Sequence, residues 1–177
     1  MAAAGAALGC AHSKGALGDC YVGGYGVAKD EARGLALGRE SEAEGSCFGQ
    51  YVVGWCYRFG CGDVARDFAE ALRLYSLAAA QGHADAQFNM GNMFSNGQGV
   101  AQDYAEAVRL YSLAAAQGHA NAQRNLGLMF EYGYGVAQDT AEAIRWYRLA
   151  AEQGHTFAQY QLDALVPKSR KRARGGA

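Results

Sequence analysis

The chain has 177 residues, half of them apolar, with 16 basic and 17 acidic side chains and a formal net charge of −1. That length and apolar fraction support a buried core within one domain and exclude a disordered or fibrous chain. Five of the basic residues, Lys168, Arg170, Lys171, Arg172 and Arg174, crowd into a tail without acids, leaving 11 basic against 17 acidic residues over 1–167, no electrostatic match for a phosphate backbone. No apolar run approaches the roughly 20 residues that cross a bilayer, and the opening MAAAGAALGCAHSKG lacks the positive n-region of a secretory signal. The five cysteines are odd in number and all lie at or before position 61, which is not the layout of a disulfide framework. The chain is therefore read as intracellular, cytoplasmic or nuclear, with no membrane span.

In chain order, residues 1–9 are expected to be a flexible N-terminal segment, followed over 10–46 by a degenerate repeat. Its stretch GALGDCYVGGYGVAKDEARGLAL keeps the glycines, Val27 and Asp30 of the later copies but lacks their aromatic and alanine pairs. Gly34 and Gly38 each cost about 1 kcal/mol of helix relative to alanine, so this unit is expected to be the least ordered. Regular copies follow at 47–83, 84–119 and 120–155 with a period of 36, the first lengthened by Asp63. Within 84–119, Ala86, Met90, Met93 and Phe94 make one helical stripe. Tyr104, Ala107, Val108, Tyr111, Ala114 and Ala115 make a second. Asp67, Asp103 and Asp139, each three residues before a glutamate, are predicted to cap the second helices, and Gly82, Gly118 and Gly154 to close them. The recurring Gly54, Gly91 and Gly127 of the first helices predict that a neighbouring backbone approaches closely there. Residues 156–166 repeat the first-helix stripe through Ala158, Leu162 and Leu165, with Asp163 in place of the glycine, and read as a capping helix that Pro167 ends; 167–177 is a basic tail.

A pair of three-turn helices cannot bury both stripes alone, whereas stacked pairs form a continuous core; the product is an α-solenoid. The string A-x-x-x-LG-x-M-aromatic, then G-x-G-V-x-x-D-x-x-x-A, then W/L-Y-x-x-A-A-x-Q-G resembles the Sel-1-like repeat family across 47–155, with a weaker match before and a partial one after. The resemblance implies an all-α, right-handed α/α superhelix of 36-residue helix-turn-helix repeats, related to tetratricopeptide arrays. It also implies an adaptor that assembles protein complexes, ubiquitin-ligase and signalling complexes among them. Some bacterial members are secreted and cysteine-rich, with a disulfide stapling each unit, and some are credited with β-lactam binding. This chain departs from that branch, because the units 84–119 and 120–155 contain no cysteine.

Candidate chemistry is sparse. His83, His119 and His155 occupy one position in successive units, at least a helix packing distance of roughly 8–10 Å apart, so they cannot share a metal and are read as turn residues after the glycine cap. Cys20 and Cys56 fall where Met93 and Met129 fall and are read as small core residues, whereas Cys61 lies in the GCGD loop and is expected to be exposed. Cys47, Cys56 and Cys61 lack the C-x-x-C spacing of a strong zinc signal. The GQGVAQ and GYGVAQ loops follow helices instead of strands and lack a third glycine or a GK[ST], so they are turns, not nucleotide cradles. With no nucleophile motif either, the chain is read as non-catalytic, without cofactor or metal. Two features exceed packing. Gln50, Gln87, Gln123 and Gln159 form a ladder beside the first-helix stripe, which either borders a concave groove for an extended peptide or is a solvated face. The tail residues 168–174 form either a nuclear-import or acidic-partner tag or an ordinary solvated terminus. The reading is a protein-interaction scaffold for a protein or peptide partner, with nucleic acid unlikely. The alternatives are a ligand-binding or hydrolase-like protein of the cysteine-rich type and a nucleic-acid binder acting through its tail.

Overall fold

The computed structural model describes residues 10–166; the N-terminal segment, Pro167 and the basic tail, with all five of its predicted targeting residues, lie outside that range. Among the described residues there are helices and no strands. The helices are α1 (Ala11–Gly23), α2 (Glu31–Ala43), α3 (Cys47–Phe59), α4 (Phe68–Ala80), α5 (Ala84–Asn96), α6 (Tyr104–Ala116), α7 (Ala120–Tyr132), α8 (Thr140–Glu152) and α9 (Thr156–Leu165). Each packs on the next along the chain, and α1 also packs on α3. Contacts between sequential neighbours are what define a solenoid.

The predicted caps are in place. Asp67 accepts hydrogen bonds from the backbone N–H of Ala69 and Glu70 at 2.9 and 3.1 Å, Asp103 from Glu106 at 3.0 Å, and Asp139 from Ala141 and Glu142 at 2.9 and 3.1 Å. The glutamates do not return to the cap as in a full capping box. They take the arginine three residues on, as Arg109 Nη2 does with Glu106 Oε1 at 2.7 Å. At the other end of α4, Gly82 has φ +86°, and the N–H groups of Gly82 and His83 bond back to Ala79 and Ala78 at 2.9 and 3.1 Å. This double closure needs a left-handed residue, which glycine supplies without steric cost.

The packing glycines answer to a different neighbour from the one expected. A Cβ on Gly91 would lie 2.7 Å from Cε1 of Tyr111, and one on Gly127 would lie 2.5 Å from Cε1 of Tyr147. Tyr75, Tyr111 and Tyr147 are buried in the core, so each unit seats a tyrosine ring, not a backbone, on its glycine. Backbone contact occurs instead in the degenerate unit. A Cβ on Gly18 would lie 2.9 Å from the Gly34 carbonyl oxygen, and one on Gly34 would lie 2.8 Å from that of Gly18. Both helices of that unit, α1 and α2, run for 13 residues. The propensity cost of Gly34 and Gly38 is offset by a close helix approach that larger residues forbid.

The cysteine reading is also corrected. Cys61 is only 3% exposed and lies in a cluster with Val22, Leu35 and Val52. It forms a disulfide with Cys56 across a Cα–Cα distance of 4.8 Å, which removes both from any zinc set. The loop turns back at once, Cys61 N–H bonding to the Cys56 carbonyl at 3.2 Å, so a residue that looks like loop is folded under the helix end. Cys10, Cys20 and Cys47 are free thiols, of which only Cys47 is buried.

Candidate protein-binding face

The glutamine ladder is not a free flank. Gln50, Gln87 and Gln123 are buried, with 8%, 4% and 5% exposure. Their Oε1 atoms accept from the amides of Gln81, Gln117 and Gln153 at 2.8, 2.8 and 2.7 Å. Gln87 and Gln123 also donate to the carbonyls of Ala79 and Ala115 at 3.2 and 3.3 Å. Gln87 and Gln123 therefore tie their first helices to the second helices on either side, and Gln50 ties its own to the one that follows. The assumption of a solvent-facing ladder fails because a position one step from the stripe is already covered by the neighbouring turn. Of the four only Gln159 is exposed, with no second helix after it among the described residues, and it donates to Asp163 at 2.9 Å.

The histidines do more than end a turn. Nδ1 of His83, His119 and His155 accepts from the N–H of Ala86, Ala122 and Ala158 at 3.3, 3.1 and 3.2 Å, so each histidine is the N-cap of the next first helix. That bond leaves the proton on Nε2. From there His119 reaches Asp85 and His155 reaches Asn121 of the preceding unit, each at 3.0 Å. Phe48 stands where Asp85 and Asn121 stand and meets the His83 ring edge-on at 4.8 Å. Burial holds the His83 imidazole below its ordinary pKa, keeping it a neutral acceptor. The Asp85 carboxyl is held down chiefly by the His119 hydrogen bond.

Successive first helices share one remaining face. Arg58 in α3, 9% exposed, donates from Nη1 to Asn89 in α5 at 2.8 Å and from Nη2 to Gln98 at 3.0 Å. Asn92 Oδ1 accepts from Tyr111 Oη at 2.7 Å and from Asn125 Nδ2 in α7 at 3.2 Å. Arg124 donates to Asn125 at 2.9 Å and lies over the Phe157 ring of α9 at 4.3 Å. Asp19 in α1 is half-buried on the same side; desolvation first, and then the charge of Asp85 in α5, pushes its carboxyl up to about 6. Sequence reading missed this set, because only Asn89 and Asn125 recur at one register, and Val52 takes that place in α3. On the opposite side, the second helices carry self-contained pairs, Glu70–Arg73, Glu106–Arg109 and Glu142–Arg145. Among the described residues no three His, Cys, Asp or Glu side chains are placed to hold a metal ion. No described helix is long and apolar enough to cross a membrane.

Stacked helix pairs with caps and ties recurring by unit define an α/α solenoid repeat protein. The Sel1 repeat family model matches residues 6–46, 48–83, 84–119 and 120–155, and the chain belongs to that family. Among solved structures it is similar to a protective antigen present in uropathogenic Escherichia coli strains that displays an SLR fold, at 32% identity and TM-score 0.74 over 90% of this chain and 34% of that one. A Sel1 repeat protein from Oxalobacter formigenes matches at 30% identity and TM-score 0.75 over 87% of this chain and 61% of that one. The chain thus spans 34% and 61% of these two relatives. Cysteine rich protein B of Helicobacter pylori, at 18% identity and TM-score 0.60 over 75% of this chain and 98% of that one, shares the fold. None of the curated proteins compared with the chain matches it. Sel1-repeat solenoids are generally non-catalytic scaffolds for protein interaction.

Proposed function

We propose that this chain is a non-catalytic adaptor that holds an extended segment of a partner protein along its first-helix face, in a complex of the ubiquitin-ligase or signalling kind. One observation carries the reading: the first helices leave a row of polar and aromatic side chains linked from unit to unit, Arg58 to Asn89, Asn92 to Asn125 and Arg124 to Phe157, whereas the second helices pair their own charges. A stacked array presents such a surface at fixed spacing, which suits a chain that lies along it. The competing surface is an outer cleft of about 310 Å³ between α4 and α6, lined by Ser76, Met90, Arg109 and Leu113. The test is affinity purification from the native cell with two variants. Trp55 lies in α3 at the register of Asn92, with its ring 4.7 Å from that of Phe59, and Tyr160 is exposed on α9; Trp55→Ala with Tyr160→Ala is expected to lose the principal partner and Arg109→Glu to keep it, and the reverse outcome assigns the outer side. An intracellular location, cytoplasmic or nuclear, belongs to this reading. A Cys56–Cys61 disulfide retained in protein from the native cell, read by thiol alkylation and mass spectrometry, would move it to an oxidising compartment.

A further inference from the structure

The three histidine caps share one hydrogen-bond pattern, which is broken at His83. In each, Nδ1 accepts a backbone N–H and the proton stays on Nε2. His119 and His155 give that proton to Asp85 and Asn121 of the preceding unit. Phe48 holds the corresponding place in α3, so among the described residues the Nε2–H of His83 has no oxygen or nitrogen to receive it. The Phe48 ring, edge-on at 4.8 Å, is a weak acceptor. His83 is 9% exposed, and Tyr51 stacks on one face of its ring with centroids 4.7 Å apart. What stays open beside it is a cleft of about 320 Å³ between the N-terminal ends of α3 and α5, lined by Phe48, Gln81, His83, Asp85 and Gln117. A donor so far withdrawn from water and left unpaired is costly, and the cleft is where an acceptor can reach it. The other polar atoms there are acceptors. Asp85 takes His119 through Oδ1 and keeps the lone pairs of Oδ2. Gln81 and Gln117 spend their amide N–H groups on oxygens of their neighbours and keep their own oxygens.

We propose that this cleft binds the carboxamide of an Asn or Gln side chain in the partner's extended segment, its oxygen accepting from His83 Nε2 and its N–H groups donating to Asp85 and Gln117. This rests on the adaptor reading and names a side chain that the adaptor selects. A carboxylate would satisfy the histidine but would meet the charge of Asp85. A trans peptide unit directs its C=O and N–H to opposite sides, whereas a primary carboxamide carries both on one edge, as a donor and an acceptor two residues apart require. Phe48 and Asp85 share the register of Asn121 in α7 and Phe157 in α9, so the cleft adjoins the first-helix face along which the segment lies.

The probe is a library of random dodecapeptides displayed through their C-termini and selected against the full chain, followed by synthetic binders with free C-terminal carboxylates. Selected peptides are expected to share an Asn or Gln whose change to Asp or Glu weakens Kd at least tenfold, about 1.4 kcal/mol. His83→Asn keeps a capping side chain for α5 but removes the Nε2–H, and is expected to weaken the carboxamide peptide at least tenfold. Asp85→Asn keeps the tie to His119, as Asn121 does for His155, but turns an acceptor toward the ligand into a donor. It is expected to reverse the preference, the acidic peptide then binding more tightly than its carboxamide parent. Arg109→Glu is expected to change neither peptide. No binder at all, binders without a carboxamide, or carboxamide binders indifferent to His83→Asn and Asp85→Asn overturn the inference. If binders of the last two kinds are lost with Trp55→Ala and Tyr160→Ala, the adaptor reading survives; if they are lost only with Arg109→Glu, that reading falls too. Should His83→Asn fail to fold, Asp85→Asn and the ¹H and ¹⁵N shifts of the wild-type His83 Nε2–H on titration with the carboxamide peptide decide, a shift at His83 larger than at His119 supporting the site and an unmoved His83 overturning it.

Discussion

Asp19 is a carboxylate whose protonation is set mainly by its burial. Its folded pKa, about 6, lies above the ordinary 3.8, so its contribution to stability is fully present below about pH 4 and is lost as the pH rises through about 6. Asp19→Asn removes that dependence. The variant is expected to be more stable than wild type at pH 7 by ~1–3 kcal/mol, with no advantage at pH 3.5, read from urea melts at both pH values. His119 is the second residue whose role depends on its surroundings. It caps α7, ties to Asp85 and stacks on Phe88 with ring centroids 4.6 Å apart. His119→Ala is expected to lower stability by ~1–2 kcal/mol, and an unchanged melting temperature would contradict the cap. Histidine is not among the common capping residues, which is why its place after the glycine reads from sequence as the end of one helix and not the start of the next.

At the scale of the element, the caps and the packing glycines make opposite demands. Asp103→Ala removes one local acceptor and is expected to cost about 1 kcal/mol in a thermal or urea melt. Gly127→Ala tests packing by the sign of its effect. On an open helix the change would stabilise by about 1 kcal/mol. Here the new Cβ would meet Tyr147 Cε1 at 2.5 Å, and that ring cannot swing away while Tyr147 Oη donates to Glu131 at 2.6 Å. Destabilisation of ~1–3 kcal/mol is therefore expected, and a gain would show that the ring yields. The caps were legible because a cap lies within four residues of what it satisfies. The glycine recurrence was legible too, but the identity of its neighbour was not, since that ring belongs to a residue about 20 positions downstream.

For the whole molecule, the buried glutamines carry the continuity of the stack. Changing Gln87 and Gln123 together to glutamate buries two carboxylates and removes the donors to Ala79 and Ala115. Each site is expected to cost ~1–3 kcal/mol at pH 7, seen as a lower urea midpoint, with part of the loss recovered as the pH falls and the glutamates protonate. A double variant as stable as wild type would mean that the ladder is solvated after all. Because each unit contacts chiefly its neighbours, the loss is expected to concentrate in hydrogen exchange of α4 to α8 and to spare α1 and α2. This variant would therefore confound any binding test, and the first-helix face is better probed at Trp55, Tyr160 and Arg124.

By itself the sequence determined the all-α class, the period, the helix limits set by Asp103 and Gly118, and the family, because these rest on spacings within one unit and are repeated until they cannot be missed. Only the tertiary structure decided which polar residues are buried and which stay on an open face. The bonds that settle this, Gln117 to Gln87, Arg58 to Asn89, Asn125 to Asn92 and His119 to Asp85, span 30 to 34 positions. The periodicity of a single helix places a side chain on a flank. Whether that flank meets water or the next turn depends on how closely the units stack, and here that is set by a tyrosine ring lying on a glycine.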